Sequence, residues 1–470
     1  MDDNRLIPDV TYHGFFWLED DPEDKWQGSL QVQEDNSFYL HCTSPILEAN
    51  LLMPNTALLG QLVGPINIRL DKCLGVSGRH LDQVRTVSAS FGRMLASLGE
   101  VRQGSGERLR RTAVWLTELN GWWRIKSTDF GKLPNADFSV TVKSPKNIVL
   151  KDRMPRVTLQ YLSDALNAPD KDIEATLVVG RPHIIVKHAA LDLDQVRREV
   201  DIVQQFVTFC TGFAAGIERV ETTAYATDSD VEQFVRGRYF PGWLEDDFRK
   251  AKPSHGRRLF RRYAIEFEAL RPHIKAIYSQ FREVYANHSL YVETLTASYF
   301  DTSPPDELRF ATLVFAAEGL HRDTVGGKYI SRTDYRTQYM APIRAAIPNQ
   351  GNYDLERHIY NSLGHCNEKS LKARLLELAE ELPENVLAAL FPDDTANVFL
   401  GKVVNTRNYL AHREPALAQN SFRVGNELTH GYHKFHAMLV CNMFLRLGIP
   451  ENLLNRIALT LLNRTHVLWG

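Results

Sequence analysis

The sequence predicts an α+β protein, in which an antiparallel, sandwich-like β domain is followed by an all-α helical bundle. Two observations favour this class. Apolar and polar residues alternate along several short runs in the first part of the chain, as they do in half-buried strands. After Ala190, apolar residues instead recur every three to four positions, which is the period of an amphipathic helix. At 470 residues the chain is also longer than a single core usually supports, so more than one domain is expected.

The first domain, residues 1–190, is predicted from its strand patterns. The runs SLQVQ and SFYLHC flank Glu34, Asp35 and Asn36, which predicts a hairpin with a short turn. DFSVTVK, RVTLQYL, IEATLVVG and HIIVKH repeat the pattern further on. Five of the seven tryptophans lie here: Trp17, Trp26, Trp115, Trp122 and Trp123. They predict an aromatic core, with a ligand-facing aromatic surface as the alternative.

Residues 191–300 are predicted to form a helical connector and residues 301–470 a helical bundle. A helix follows Ala190 and ends at Gly212, and a second covers about 257–285. In SPPDELRFATLVFAAEGLHRD, a helix face of small and apolar residues is suited to packing; it comprises Leu308, Thr312, Phe315 and Gly319. Further helices are predicted at about 355–364, 368–382, 394–413, 424–447 and 451–467.

Composition excludes several classes of function. With 55 basic and 57 acidic side chains the formal charge is −2, so no overall field attracts this protein to nucleic acid or to a membrane. Five widely separated cysteines argue against a disulfide framework and against a cysteine zinc site. No apolar run has the length of a signal peptide or of a membrane span. We therefore expect a soluble cytoplasmic protein with no membrane partner.

Three local patterns are weak. DTVGGKYISR lacks the glycine and the hydroxyl residue of a phosphate-binding P-loop. His430, His433 and His436 recur on one helix, but no carboxylate or cysteine lies at ligand spacing, so neither a metal nor another cofactor is predicted. Four arginines in GRRLFRR are candidates for RNA binding, with a solvated helix face as the alternative: Arg257, Arg258, Arg261 and Arg262.

The segment VVNTRNYLAHREP, residues 403–415, contains the most specific pattern. Arg407, Asn408 and His412 fall in the last turns of a helix that Glu414-Pro415 ends. On a straight helix, Arg407 and His412 point about 140° apart, so they converge only if the last turn opens or a second subunit completes the site. The alternative is structural: Arg407 pairs with a carboxylate and His412 caps the helix.

A family resemblance bears on this choice. ELRFATLVFAAEGLHR (307–322), SLKARLLEL (370–378) and TRNYLAHRE (406–414) resemble the helical domain of the HEPN superfamily, in particular that of ApeA-type bacterial anti-phage proteins. The opening YHGFFWLEDDPEDKWQGSLQV resembles the N-terminal β domain of the same proteins. The resemblance implies a metal-independent RNA endonuclease whose R-N-x-x-x-H motif, here Arg407, Asn408 and His412, lies at a dimer interface. Glu318 matches the acidic residue of the first helix.

The resemblance further implies that the protein defends its cell against phage by cleaving cellular or phage RNA, with transfer RNA as one candidate target. By this cleavage the protein is expected to leave 2′,3′-cyclic phosphates. Its partners are then an RNA substrate, a second copy of the chain or a larger homo-oligomer, and an unidentified phage-derived trigger. The N-terminal domain takes a sensing or regulatory role. The alternative from a different class is a non-catalytic scaffold that binds RNA or protein and uses Arg407 and His412 structurally.

Overall fold

The computed structural model shows an α+β chain, with antiparallel sheets in the N-terminal part and helices in the C-terminal part, as the sequence predicts. It describes residues 10–32, 38–44, 57–64, 66–81, 84–97, 109–123, 128–132, 138–142, 146–167, 176–191, 193–223, 238–241, 262–300, 304–347, 353–392 and 395–467. The chain divides into two compact units. The first comprises Met1–Arg261 with Leu270–Ser279, and the second comprises Arg262–Ala269 with Gln280–Gly470. The predicted division into three domains remains a prediction.

The first unit contains a twelve-stranded antiparallel sheet in the order β10-β11-β12-β7-β13-β14-β6-β3-β2-β1-β4-β5, and a separate β8–β9 pair. The strands are β1 Thr11–Leu18, β2 Asp21–Val32, β3 Phe38–Ser44, β4 Leu58–Leu62, β5 Asn67–Leu81, β6 Val84–Ser97, β7 Leu109–Leu116, β8 Thr128–Lys132, β9 Phe138–Val142, β10 Ile148–Lys151, β11 Arg156–Asn167, β12 Thr176–Leu191, β13 Ile217–Thr223 and β14 Arg238–Pro241. Because β6 pairs with both β3 and β5, six strands close into a ring.

Alternating side chains of this ring form an apolar core. Leu30 on β2 lies opposite Leu40 on β3, which confirms the predicted hairpin; its turn residues Glu34, Asp35 and Asn36 lie outside the described residues. Phe16, Trp26, Leu30 and Leu40 are all buried in this core. Trp115, Trp122 and Trp123 are buried as well, so the core interpretation of the tryptophans is confirmed for four of the five.

The helix predicted after Ala190 is present as α2, Leu193–Thr211, and follows the short α1, Leu119–Trp122. Its apolar stripe, which includes Val196, Val200 and Val203, is fully buried. Gly212 then takes a φ of 65°, the left-handed conformation that ends a helix at little cost when the residue is glycine.

Two expectations for residues 191–300 are wrong. This part is not wholly helical, because β13 and β14 lie within it and extend the large sheet. The helix expected at about 257–285 is also displaced: residues 262–266 are not helical, and two helices follow, α3 Phe267–Leu270 and α4 Ile274–Phe300. Alternation as short as that of β13 is difficult to distinguish from loop by sequence alone.

The second unit continues with a bundle of helices. They are α5 Asp306–Thr324, α6 Arg332–Tyr335, a π-helix Arg336–Met340, α7 Ala341–Ala346, α8 Tyr353–His365, α9 Leu371–Glu380, α10 Glu384–Leu390, α11 Ala396–His412, α12 Pro415–Ala418, α13 Asn426–Arg446 and α14 Glu451–Val467. The five helices predicted after residue 350 are confirmed as α8, α9, α11, α13 and α14. In the described residues, no helix combines the length and the apolar character that crossing a membrane would require.

The core of the bundle surrounds α13, which is buried along most of its length. Phe310 of α5, Phe399 of α11 and Phe435 of α13 are all less than 4% exposed. Phe422 packs against Phe399 with ring centroids 5.6 Å apart. The ring of Phe422 also lies so close to Gly431 that a Cβ there would be 2.8 Å from it, so only glycine fits.

Candidate active site

The candidate site is the C-terminal end of α11. Thr395 caps the start of this helix, since its Oγ1 accepts a hydrogen bond from the Val398 amide at 3.3 Å. Phe399, Leu400 and Val403 bury one side of the helix in the core. The opposite side and the last turn therefore face away from the core.

A buried threonine fixes the end of α11 to the chain that follows it. Thr406 is 1% exposed, and its hydroxyl donates to the Lys402 carbonyl at 2.7 Å and accepts from the Phe422 amide at 2.8 Å. Asn405 donates to the Asn420 carbonyl at 3.4 Å. These bonds hold the segment around Phe422 against the last turns, so Arg407 and His412 project from a firmly anchored helix.

Arg407 lies between an amide and an aromatic ring. Its Nη1 donates to Asn408 Oδ1 at 3.0 Å, and its Cζ lies 4.9 Å from the ring centroid of Phe315 on α5. Its Nε is buried and has no hydrogen-bond partner in the described part of the chain. Arg407 forms no ion pair with any described carboxylate, contrary to what the structural alternative would require. Its positive charge is therefore available to an anion.

His412 is the last residue of α11 and is exposed. Its side chain takes part in no hydrogen bond or ion pair with any residue that the structure describes. The helix is closed instead by Arg413, which adopts a left-handed φ of 54° and donates its amide to the Tyr409 carbonyl at 2.8 Å. His412 is thus not the capping residue, and its imidazole is available for chemistry.

Arg407 and His412 are not brought together within one chain. Helix α11 stays regular from Ala396 to His412, so the last turn does not open. Five positions on such a helix correspond to a rotation of about 140°. Asn408 bonds to Arg407, because its Oδ1 accepts a hydrogen bond from the Arg407 guanidinium. A single chain therefore presents the two side chains in different directions.

Glu318 lies on α5, where its Oε1 accepts from Arg322 Nη2 at 2.9 Å. Among the described residues it contacts neither Arg407 nor His412 through a hydrogen bond or ion pair. Phe315, one turn earlier on the same helix, is the residue that touches Arg407. The sequence analysis assigned Phe315 to a packing face and missed this role. The sequence contains part of the signal, because a large aromatic shares that face with the small residues Thr312 and Gly319; in the structure Phe315 is 52% exposed.

Only one of the four arginines of the GRRLFRR cluster lies among the described residues. Arg257, Arg258 and Arg261 lie outside the described residues. Arg262 is described and exposed, but it lies in the non-helical stretch before α3, so the helix face predicted for it is absent at this position. Its role in RNA binding remains a prediction.

The histidines of α13 differ in environment. His436 is 5% exposed and its Nε2 lies 2.8 Å from the Leu295 carbonyl, so it belongs to the core and not to a solvated face. Burial lowers the pKa of His433, with Arg309 acting in the same direction. Within the described residues no group of three or more histidine, cysteine, aspartate or glutamate side chains is placed to hold a metal ion.

Comparison with known proteins identifies the class of this bundle. Residues 312–453 match the family model described as Apea-like HEPN, a stretch that includes Phe315, Arg407 and His412. The C-terminal part of the chain is therefore an Apea-like HEPN domain, which confirms the resemblance seen in its helices. Searches of curated proteins and of solved structures returned no match. The resemblance of the N-terminal β domain remains a prediction.

Proposed function

We propose that this protein is a metal-independent RNA endonuclease of phage defence and that the end of α11 is its active site. One observation carries the proposal. In a HEPN domain, Arg407 has no carboxylate partner among the described residues and rests on Phe315, while His412 is exposed one turn further on. A structural arginine at a helix end usually pairs with a carboxylate, whereas an arginine held by a ring and an amide retains its charge for a ligand.

The residue types suit a reaction in which the RNA supplies its own nucleophile, the 2′-hydroxyl. The 2′-oxygen attacks phosphorus, the bond from phosphorus to the 5′-oxygen breaks, and a 2′,3′-cyclic phosphate and a 5′-hydroxyl are formed. The 2′-hydroxyl loses a proton and the departing 5′-oxygen gains one; His412 serves this transfer, because an imidazole can both accept and donate a proton. Arg407 holds the non-bridging phosphate oxygens, where negative charge develops. Asn408 Oδ1 orients the Arg407 guanidinium by accepting its hydrogen bond.

A second copy of the chain completes the site in this proposal. The α5 face predicted to pack is left open in one protomer: Leu308 is 59% exposed, and a Cβ added at Gly319 would meet nothing within 4 Å. Phe315 lies on the same face, beside Arg407. Val403, on the buried side of α11, cannot contribute to such an interface, because it is completely buried within the protomer. The α5 face is the better candidate.

The proposed biological setting is the cytoplasm of an infected bacterium. A nuclease that attacks the RNA of its own cell must be kept inactive until infection, and the β-rich N-terminal part is the natural restraint, released by a phage-derived trigger. The alternative, a non-catalytic scaffold that binds RNA or protein, is favoured by one observation: Arg407 and His412 point apart in a single protomer.

RNA sequencing tests the proposal against this alternative. The 5′ ends of RNA would be mapped in infected cells that express either the wild-type chain or His412→Ala. New 5′-hydroxyl ends that require His412 are expected, and their sequence context would reveal the target. Identical maps for the two strains would support the scaffold.

Phe315→Leu is expected to slow RNA cleavage about two- to fivefold, because a cation–π contact at an exposed site contributes roughly 0.5–1 kcal/mol. Leucine retains apolar bulk but lacks the negative ring face on which the Arg407 guanidinium rests. Single-turnover cleavage of a labelled RNA measures the effect. Phe315→Trp serves as the matched control, since it preserves the ring and should retain the wild-type rate. Equal rates in all three proteins would show that the stacking does not position Arg407.

Cleavage is expected to continue in excess EDTA, because the proposed chemistry uses only the 2′-hydroxyl, His412 and Arg407. The measurement is the initial rate of the purified protein with and without chelator at constant ionic strength, since salt alone weakens RNA binding. Activity that disappears with EDTA and returns with magnesium or manganese would contradict the assigned chemistry.

A further inference from the structure

Between α5 and α9, the described residues 328–347 and 353–368 form an extension of the HEPN domain, here called the arm. It carries α6, the π-helix, α7 and α8, and none of these helices has a buried residue. The buried side chains of the bundle come from helices outside the arm, such as α5, α9, α11 and α13. The arm therefore contributes surface to the molecule and hardly any core.

Hydrogen bonds at its base nevertheless fix the arm. Asn367, at the C-terminal end of the arm, is 5% exposed and bonds twice to Ile330 near its start: its Nδ2 donates to the Ile330 carbonyl at 2.8 Å, and its Oδ1 accepts from the Ile330 amide at 3.1 Å. Its carbonyl accepts from the Tyr329 amide at 3.0 Å. Further out, the Tyr335 hydroxyl donates to the Leu363 carbonyl at 2.5 Å. These hydrogen bonds give the arm a fixed conformation at its base.

Tyrosine rings dominate the exposed surface of the arm. Tyr329, Tyr339 and Tyr353 are 58%, 52% and 74% exposed. Tyr339 stacks on Tyr335 with centroids 6.2 Å apart and an angle of 16° between the rings. Exposed rings of this kind cost free energy in water unless a partner covers them.

The arm also carries arginines that lack a described carboxylate partner. Arg332, Arg336, Arg344 and Arg357 are exposed, and none forms an ion pair with any described residue. Some arginines of the same unit outside the arm do have carboxylate partners. Arg309 pairs with Asp306 at 3.2 Å, and Arg446 pairs with Glu381 at 2.7 Å.

Aromatic and cationic groups also share one surface here. The Arg344 Cζ lies 5.2 Å from the Tyr360 ring centroid. Two chemical functions are thus presented side by side: flat rings, on which planar groups stack, and guanidiniums, which bind anionic oxygens.

We propose that the arm binds single-stranded RNA, with bases stacked on Tyr339 and its exposed neighbours and phosphates held by the four unpaired arginines. The inference rests on the proposed nuclease function and extends it, because it assigns a substrate-binding surface additional to Arg407 and His412. Single-stranded nucleic acid is the ligand that satisfies both features, since it offers a stacking face and a charge at every nucleotide.

The charge of the arm argues against a second copy of itself as the occupant. The arm has five basic and four acidic side chains, and four of the basic ones are exposed arginines without a described carboxylate partner, so two arms placed face to face would bring unpaired guanidiniums together. Asp334 is moreover engaged locally, because Ser331 donates to its carboxylate at 2.6 Å. An RNA backbone supplies the opposite charge.

The test is RNA binding by the full-length chain carrying His412→Ala, which separates binding from cleavage. A fluorescent, unstructured RNA of about 20 nucleotides is titrated by anisotropy, long enough to span several stacking positions. Adding Tyr339→Ala should weaken binding about tenfold, since loss of one stacked base has an effect of that order. Tyr339→Phe retains the ring and should bind as the parent does. Replacing Arg332 and Arg336 together should reduce the dependence of log affinity on log salt by about one.

Arg423→Ala, at an exposed arginine of the same domain outside the arm, is the matched control and should bind as the parent does. Unchanged affinity in the Tyr339 and arginine variants would overturn the proposal. So would a change in molar mass of the Tyr339→Ala protein by light scattering, which would identify a second chain as the occupant. The two proposals fail separately: arm-dependent binding without cleavage by the wild-type chain would sink the nuclease, whereas cleavage with a KM indifferent to Tyr339 would sink the arm.

Discussion

His412→Ala is expected to abolish detectable RNA cleavage and phage protection without unfolding the protein. Loss of a general acid or base lowers the rate about 10²- to 10⁴-fold. Arg407→Ala should cost about 10²- to 10³-fold, the effect of removing a group that stabilises developing negative charge. Cleavage of labelled RNA by purified protein and plaque formation on expressing cells measure the two consequences.

The structure allows a test of whether these losses are chemical. His412 is exposed and forms no polar contact in the described part of the chain, and Arg407 neutralises no described carboxylate. His412→Ala, a change at an exposed residue, should alter stability by at most about 0.5 kcal/mol, or roughly 1–2 °C in Tm, whereas Arg407→Ala should in addition lose the roughly 0.5–1 kcal/mol of its contact with Phe315. His430→Ala, which removes another exposed histidine of the same domain, is the matched control and should retain activity. A fall of several degrees in Tm that parallels the loss of activity would instead support a structural role.

Two inactive chains are expected to restore cleavage when they are co-expressed, one carrying Arg407→Ala and the other His412→Ala. If the phosphate meets Arg407 of one protomer and His412 of its partner, each mixed dimer retains one intact site. Random assembly of equal amounts then gives about a quarter of the wild-type sites. Activity of the copurified mixture, compared with each variant alone, measures this. No recovery from a mixture shown to contain mixed dimers would mean that each site is built within one chain.

Gly319→Gln tests the α5 face independently. A Cβ at Gly319 meets nothing within 4 Å, so the protomer accommodates the larger side chain, and the helix gains about 0.5–1 kcal/mol on losing a glycine. A partner packed on this face would be displaced. Loss of the dimer by light scattering together with loss of cleavage, at an undiminished Tm, is therefore expected. An active dimer of this variant would place the interface elsewhere.

Periodicity alone was sufficient to predict most of the helices that build the site. The apolar repeat of α11 and its stop at Glu414-Pro415 placed Arg407 and His412 in its last turns, where the structure has them. Ring closure of the β strands could not be predicted in the same way. It depends on β6 pairing with both β3 and β5, and such long-range pairings leave no local pattern in the sequence.

The surroundings of the site were harder to predict than its members. Apolar residues on α5 indicated a packing face, but the sequence does not say that Leu308 and Phe315 stay exposed while Val403 is enclosed. The stacking of Arg407 on Phe315 joins residues far apart in the chain. Likewise, no composition signal distinguishes the arginines of the arm from those paired with carboxylates, because ion pairing is decided by tertiary neighbours.

Arg413, the residue that closes α11, is not the residue type that its backbone conformation favours. Arg413 holds a left-handed φ of 54°, a conformation that costs an ordinary residue about 1 kcal/mol and glycine almost nothing. Stability alone would therefore place glycine directly after His412. The guanidinium of Arg413 lies 5.7 Å from the Tyr409 ring centroid, and this contact offsets only part of the conformational cost. The backbone at this position thus favours glycine, and the arginine that stands there instead places a positive charge directly beside His412.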